Sequence, residues 1–283
     1  MPSISRSETL ISRMRASILS ENGMNQPAVL SLRRQKSMFS NKKSVNNLIS
    51  GVVLLFLPFA LSAAPLNDLP TLVEYKAHYQ LRWHGLPIGT TDHKLQKLSQ
   101  NTYLATASAK PFLPFIPFKA FEKSEFFLQQ QQIYPLQYNY QIEEKGKKKE
   151  GQISFQWSEK KAQSKKGGIL FQEFDLRGKA HDKITFYLQL RQDLQNQKQP
   201  LRYTVIEPTR IKIYTFSIRG SERLHTPIGT LETFLVEHHS EDQQRATKLW
   251  LAKDFHYIVV KAQQIRRGRL NAESIIQRLE IPK

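Results

Sequence analysis

The chain has 283 residues, no cysteine, and a formal charge of +18 from 42 Lys/Arg against 24 Asp/Glu. The lack of thiols excludes disulfides, thiolate metal sites, a cysteine nucleophile and a lipid-modified cysteine. The charge makes the surface a partner for phosphates, lipid headgroups or acidic glycans, while length alone leaves one large or two small domains open.

The first predicted element is an export signal. Residues 48–61, LISGVVLLFLPFAL, form an apolar run preceded by Asn41-Lys42-Lys43 and followed by Ser62-Ala63-Ala64. This is the charged, apolar, small-residue order of a secretory signal. A spanning helix wants about 20 apolar residues, and this run is shorter and holds Ser50, Gly51 and Pro58. The expectation is cleavage within 62–64 and a periplasmic mature protein with no transmembrane helix; an uncleaved inner-membrane anchor is the alternative. The polar lead of residues 1–40 is long for such a signal, and a start at Met38 gives one of about 26 residues. Residues 1–63 thus read as leader and signal, and 64–283 as one mature β-rich domain without an internal linker. Without the leader, 34 Lys/Arg remain against 22 acids, a formal charge of +12. The basic character therefore belongs to the mature part as well. In an exported protein it points to envelope anions, and nucleic acid is not the expected partner.

From Val73 onward the pattern is that of strands. Tyr75, Ala77, Tyr79, Leu81 and Trp83 alternate with polar residues, as in a sheet with one wet face, and Gly85-Leu86-Pro87 turns the chain into a second strand from Ile88 to near Ser99. Next comes PFLPFIPF at 111–118, with prolines and phenylalanines on a three-residue beat. In polyproline II geometry Phe112, Phe115 and Phe118 line one edge and every face is apolar. This segment is expected to wedge into the mouth of the fold as a lid, and contact with lipid is the alternative. Tyr134, Leu136, Tyr138, Tyr140 and Ile142 share one predicted face of a strand that returns, after a charged turn, through Ile153, Phe155 and Trp157. Further strands are expected at 169–176, 203–206, 211–219, 230–238, 246–252, 257–266 and 270–281, with turns at Gly220-Ser221 and Arg267-Gly268. One amphipathic helix, at about 182–195 with Asp182 as its N-cap, is expected to plug or pack on one open side. The predicted fold is mainly all-β: a curved antiparallel sheet or open β-barrel with this single helix.

Catalytic signals are sparse. His238 and His239 are adjacent on a strand and face opposite ways, no histidine pair has helical metal spacing, and no Gly-x-Ser-x-Gly elbow occurs. No cofactor, metal or catalytic residue is assigned. Phe112, Phe115, Phe118, Tyr134, Tyr138, Tyr140 and Trp157 are the candidate apolar lining or lid, and Lys147, Lys148, Arg266 and Arg267 the candidate basic rim. Exposed lysines at turns also simply hold charge in water and discourage edge-to-edge aggregation.

Several segments in order resemble the DUF3108 family of exported bacterial proteins. They are Gly85-x-x-Ile88-Gly89, Glu122-Lys-Ser-Glu-Phe126, a helix with Asp182, Thr185, Tyr187, Leu190 and Arg191, the stretch Thr226 to Thr233, and Lys248-Leu-Trp-Leu251 before a Gly268 turn. The resemblance covers roughly residues 72–280 and implies a periplasmic all-β protein without a settled activity; PFLPFIPF and Gln156-Trp157 depart from it locally. The leading functional expectation is non-catalytic binding of an anionic amphiphile or envelope glycolipid. The alternatives are a structural or chaperone-like partner of another envelope protein, and a hydrolase of envelope glycans or lipids.

Overall fold

The computed structural model describes residues 72–112, 118–144 and 146–282. The signal-like run 48–61, residues Leu113–Pro117 with Phe115, and Lys145 lie outside them. The first eight strands are β1 (Tyr75–Trp83), β2 (Leu86–Lys97), β3 (Thr102–Pro111), β4 (Phe118–Gln129), β5 (Gln132–Glu144), β6 (Lys147–Gln156), β7 (Lys161–Lys166) and β8 (Ile169–Asp175). A helix, α1 (Thr185–Gln195), precedes β9 (Leu201–Glu207), β10 (Arg210–Thr226), β11 (Gly229–His239), β12 (Arg245–Ala252), β13 (Ile258–Arg266) and β14 (Arg269–Glu280).

All fourteen strands form one sheet, ordered β8 back through β1, then β14 back through β9. Every chain neighbour except β8 and β9 is a hairpin, and the first and last strands pair antiparallel at the middle of the order. The sheet curls into a nearly closed barrel whose seam lies where α1 interrupts the meander. The chain entering α1 climbs that seam: Leu176 N donates to Lys160 O (2.8 Å), and His181 forms a parallel bridge to Val205. His181 N donates to Thr204 O (2.9 Å) and Ile206 N to His181 O (2.8 Å), which pairs part of the otherwise open β9 edge.

The period-2 pattern sets the inner face. Tyr75, Ala77, Tyr79 and Trp83 are buried while Lys76, His78, Gln80 and Arg82 are not. Bulges then change the parity where uniform alternation fails. In the β4–β5 ladder Phe126 faces Pro135 and Glu125 faces Gln137, so Leu136 is the extra residue. Tyr138 stays inside opposite Ser124, but Tyr134 pairs with Phe127 on the outer face. This corrects the expectation that Tyr134 and Tyr138 share a face. A second correction concerns Gly220-Ser221, which does not turn the chain. β10 runs on to Thr226 through a bulge in which Arg219 is the extra residue between the Ile218–Val236 and Gly220–Leu235 pairs, and Gly220 takes its φ of 128°.

The helix lies inside the barrel. Residues of α1 or its entry occur in all three apolar clusters: Leu188 with Tyr79, Phe126 and Ile276; Phe186, Leu190 and Leu194 with Tyr203, Phe216 and Leu251; Ile184 with Tyr138, Ile153 and Phe155. Its polar stripe is buried as well, and so needs partners within the protein. Asp182 Oδ1 accepts from Ile184 N (2.7 Å) and Thr185 N (2.9 Å), its Oδ2 accepts from Ser124 Oγ (2.6 Å), and Thr185 Oγ1 accepts from Asp182 N (2.9 Å). This reciprocal cap also fastens the helix to β4. Gln189 Oε1 accepts from Ile133 N (2.9 Å) and Gln132 Nε2 (3.1 Å), while its Nε2 donates to Gln131 O (3.2 Å) and Asp193 Oδ1 (2.9 Å). Arg191 donates from Nε to His256 O (3.3 Å) and lies 4.8 Å from the Tyr75 ring centre, leaving Nη1 without a protein partner.

Asp182→Ala should lower stability by about 3 kcal/mol, through the lost cap and the buried Ser124 hydroxyl left unpaired. Asp182→Asn, which keeps an acceptor, should lose less; urea unfolding midpoints measure both. The buried His181 ring is driven down to about 3, first by desolvation and then by nearby Lys179. The unfolded chain therefore takes up that proton first as pH falls, so this contribution to stability is full above about pH 6.5 and declines towards pH 3, at up to about 1.4 kcal/mol per pH unit. Asp182, whose carboxyl burial pushes up, works in the opposite sense. The check is therefore the pH dependence of unfolding free energy in wild type minus that in His181→Gln, which should slope upward across this window.

Candidate functional site

Because the meander is antiparallel throughout, alternate turns share an end of the barrel. One end collects the β1–β2, β5–β6, β7–β8, β9–β10, β11–β12 and β13–β14 turns together with the end of β3 and the start of β4. Cations recur turn by turn around it: Lys147 and Lys148, then Lys165 and Lys166, then Arg210 and Lys212, then Arg245, then Arg266 and Arg267. At the other end several cations sit with acids, as in Lys76–Glu280 (3.7 Å), Arg278–Glu280 (3.3 Å) and Arg223–Glu232 (3.1 Å). Acids share the mouth end too, with Glu143 opposite Lys148 and with Glu241 and Asp242 in the β11–β12 turn, but cations outnumber them there and recur on turn after turn.

That mouth contains a cavity of about 480 Å³. Lys183, Phe186 and Tyr187, at the start of α1, lie at its base, and Phe118, Ala120 and Ile142 form one wall. Tyr214, His238, Ala246 and Ile265 contribute the opposite side. The aromatic groups are mutually packed: Phe186 stacks on Tyr214 (4.8 Å between centroids), and Tyr214 meets the His238 ring at 4.9 Å. His238 Nδ1 lies 3.0 Å from Thr215 O, which holds the ring in place.

The lining is electrostatically lopsided. Lys183, Arg210, Lys212, Arg245 and Arg266 face two acids, Glu122 and Glu207. Glu207 is paired with Arg210 Nε (2.9 Å) and accepts from Tyr214 Oη (3.4 Å). Glu122 accepts a hydrogen bond from Tyr138 Oη, and burial together with this carboxylate holds the phenol well above its ordinary pKa. Tyr138 consequently remains a donor. Asn271, the extra residue of the β13–β14 bulge, also lines the cavity; it is buried, and its Nδ2 has no protein partner. Such a donor favours an oxygen-rich occupant.

The residues singled out in the sequence divide between the two ends. Phe118 and Arg266 line the cavity, whereas Phe112, half-exposed after β3, and Lys147, Lys148 and Arg267 belong to the same end without lining it. Arg267 directs its Nε to Gln244 Oε1 (3.4 Å). Tyr138 and Tyr140 face inward below the mouth. Tyr140 lies over Gly151, where a Cβ would come within 2.5 Å of its hydroxyl, so the strand opposite needs glycine there. Tyr134 and Trp157 sit at the far end: Tyr134 stacks on Phe127 (4.9 Å), meets Trp157 edge-on (5.2 Å), and Trp157 Nε1 donates to Pro135 O (2.7 Å). Sequence reasoning missed Lys183, Asn271 and the Arg210–Arg245 side. Arg210, Arg245 and Asn271 lie on separate strands and Lys183 just before α1, so only the ladder register and the seating of the helix bring them together.

Among the described residues no group of three His, Asp or Glu side chains could hold a metal ion, and no helix is long and apolar enough to cross a membrane. Comparison with solved structures finds a β-barrel-like protein of the domain of unknown function DUF1849 from Brucella abortus. It aligns at TM-score 0.52 and 13% identity, over 75% of this chain and 99% of that one. This likeness shows the fold alone. A Bacteroides fragilis protein with a YmcC-like fold aligns at TM-score 0.32 and 7% identity, over 75% and 97% of the two chains, too distantly to argue from. No curated protein sequence matches. The family model described as "Protein of unknown function (DUF3108)" matches residues 74–272, from the start of β1 into β14 and across both walls of the mouth, and the chain belongs to that family.

Proposed function

We propose that this protein is an exported envelope protein that binds, without chemically changing it, the anionic headgroup of an amphiphile in the mouth of its barrel. The observation that carries this reading is the cavity of about 480 Å³ in which five cations face two already engaged acids over an aromatic base. Ligand pockets typically run from about 300 to 1,000 Å³. The volume suits a headgroup with the first part of its chain, because α1 fills the space beneath that a whole acyl chain would need. Cations partly shielded from water interact more strongly with an anion than they would in bulk solvent. Asn271 offers a neutral donor alongside them. The signal-like segment 48–61 supports export, and the position of Phe118 in the wall supports a part for PFLPFIPF at the mouth.

Organic extraction of protein purified from its native host, followed by mass spectrometry, should recover an anionic amphiphile. Calorimetric titration with a short-chain phosphatidylglycerol below its micelle concentration should give binding that Lys183→Glu and Arg266→Glu each weaken by about tenfold, without a change in melting temperature. Protein that carries no such molecule and also fails to bind the short-chain lipid would sink the reading.

A further inference from the structure

We propose that the mouth end of the barrel docks end-on against an anionic phospholipid bilayer, with the β7–β8 tip entering the headgroup layer. The inference rests on the reading of an anionic amphiphile as the ligand, and adds where that ligand is met. Its main observation is the start of β8, where three consecutive apolar residues are exposed: Ile169 at 76%, Leu170 at 53% and Phe171 at 53%. Consecutive strand residues point to opposite faces, so neither face of this tip is covered. β8 is also a sheet edge, bonded on one side to β7 alone. An open apolar edge is a liability that proteins ordinarily blunt, and its retention calls for an occupant.

The same end carries further exposed apolar side chains on separate turns, with Leu86 at 64% and Phe112 at 51%. They are distributed around the mouth and interspersed with the cations of the neighbouring turns, among them Lys165 and Lys166 at the root of the β8 tip. A protein partner of ordinary size recognises a contiguous patch with an apolar centre and a polar rim. Dispersed apolar tips among cations instead match a surface that is anionic over its whole extent and apolar just below, which is the make-up of a bilayer of acidic phospholipids. In this orientation the mouth cavity opens towards the headgroups, so a lipid can engage Lys183 and Arg266 without leaving the membrane completely.

Site-specific labelling is clean because the chain has no cysteine. The full chain with Leu170→Cys, and separately with Leu98→Cys at the β2–β3 turn of the opposite end, is labelled with an environment-sensitive fluorophore. Each is mixed with phosphatidylcholine vesicles with or without phosphatidylglycerol. The expected result is a blue shift at position 170 with the anionic vesicles only, abolished by high salt, and none at position 98. Replacing Ile169, Leu170 and Phe171 together with Ser should reduce vesicle binding by tenfold or more, and Lys165→Gln and Lys166→Gln by about fivefold each, with the melting temperature as control for folding. No shift at either position, as expected if residues 48–61 alone bind the vesicle, would overturn the proposal, and so would equal shifts at both. A shift at 170 produced by an envelope protein fraction but not by vesicles would overturn it too, and would make this end a protein-docking surface. Titration of the triple Ser variant with short-chain phosphatidylglycerol separates the two readings. Retained binding there with vesicle docking absent in wild type removes the docking alone, whereas docking without short-chain binding upholds this proposal and removes the cavity reading.

Discussion

The arrangement depends on a polar helix that has to be satisfied in the middle of an apolar barrel. A closed sheet of many strands encloses more space than its own side chains fill, and α1 occupies that space here. A helix buried all round is ordinarily apolar all round, yet Asp182, Thr185, Gln189, Arg191 and Gln192 are all buried. Each unsatisfied group would cost free energy on the scale of a lost hydrogen bond. The bonds from Ser124 to Asp182 and from the β4–β5 turn to Gln189 therefore fix the height and rotation of the helix as well as its stability.

That placement divides the interior. Towards the far end, Leu188, Leu190 and Leu194 meet the inner faces of the sheet, and the turn containing His256 receives Arg191. Towards the other end the helix begins below the rim, so Lys183, Phe186 and Tyr187 form a base and leave the mouth open above them. The seam follows from the same event: the chain leaves the sheet after β8 to enter the barrel, climbs along β9, and returns as β9 itself. The helix, the open mouth and the exposed β8 edge are three consequences of one excursion of the chain.

Much of the architecture was legible from the pattern of residues. Alternation located the hairpins, and the shift from period two to three-and-four spacing located the helix and its Asp182 cap. The errors came where that spacing misleads. β7, with the sequence KAQSKK, buries only Ala162 and Ser164 and has too little apolar signal to be read as a strand. Leu136 and Arg219 are the extra residues of bulges, and one added residue flips every side chain beyond it to the other face, which is why Tyr134 left the expected lining. The amphipathic pattern placed α1 against the sheet but did not name the partners of its polar stripe, because a sequence cannot tell water from a buried amide as its partner.

The sequence by itself determined most of the strands and turns, the one helix of the described residues, the strong positive charge and the lysine and arginine clusters that punctuate the turns, because these follow from local spacing and backbone preference. It also placed Phe118 and Arg266 among the residues worth examining. Only the tertiary structure decided that the cation-bearing turns gather at one end, since that depends on the strict up-and-down order of fourteen strands with β1 closing onto β14. It likewise decided that Lys183 and Asn271 join Arg266 around one cavity. These residues are brought together by ladder register, closed by β1 on β14 from opposite ends of the sheet-forming chain, and by the depth of a buried helix, set by contacts 56 to 65 residues away in the chain, beyond the reach of any local pattern.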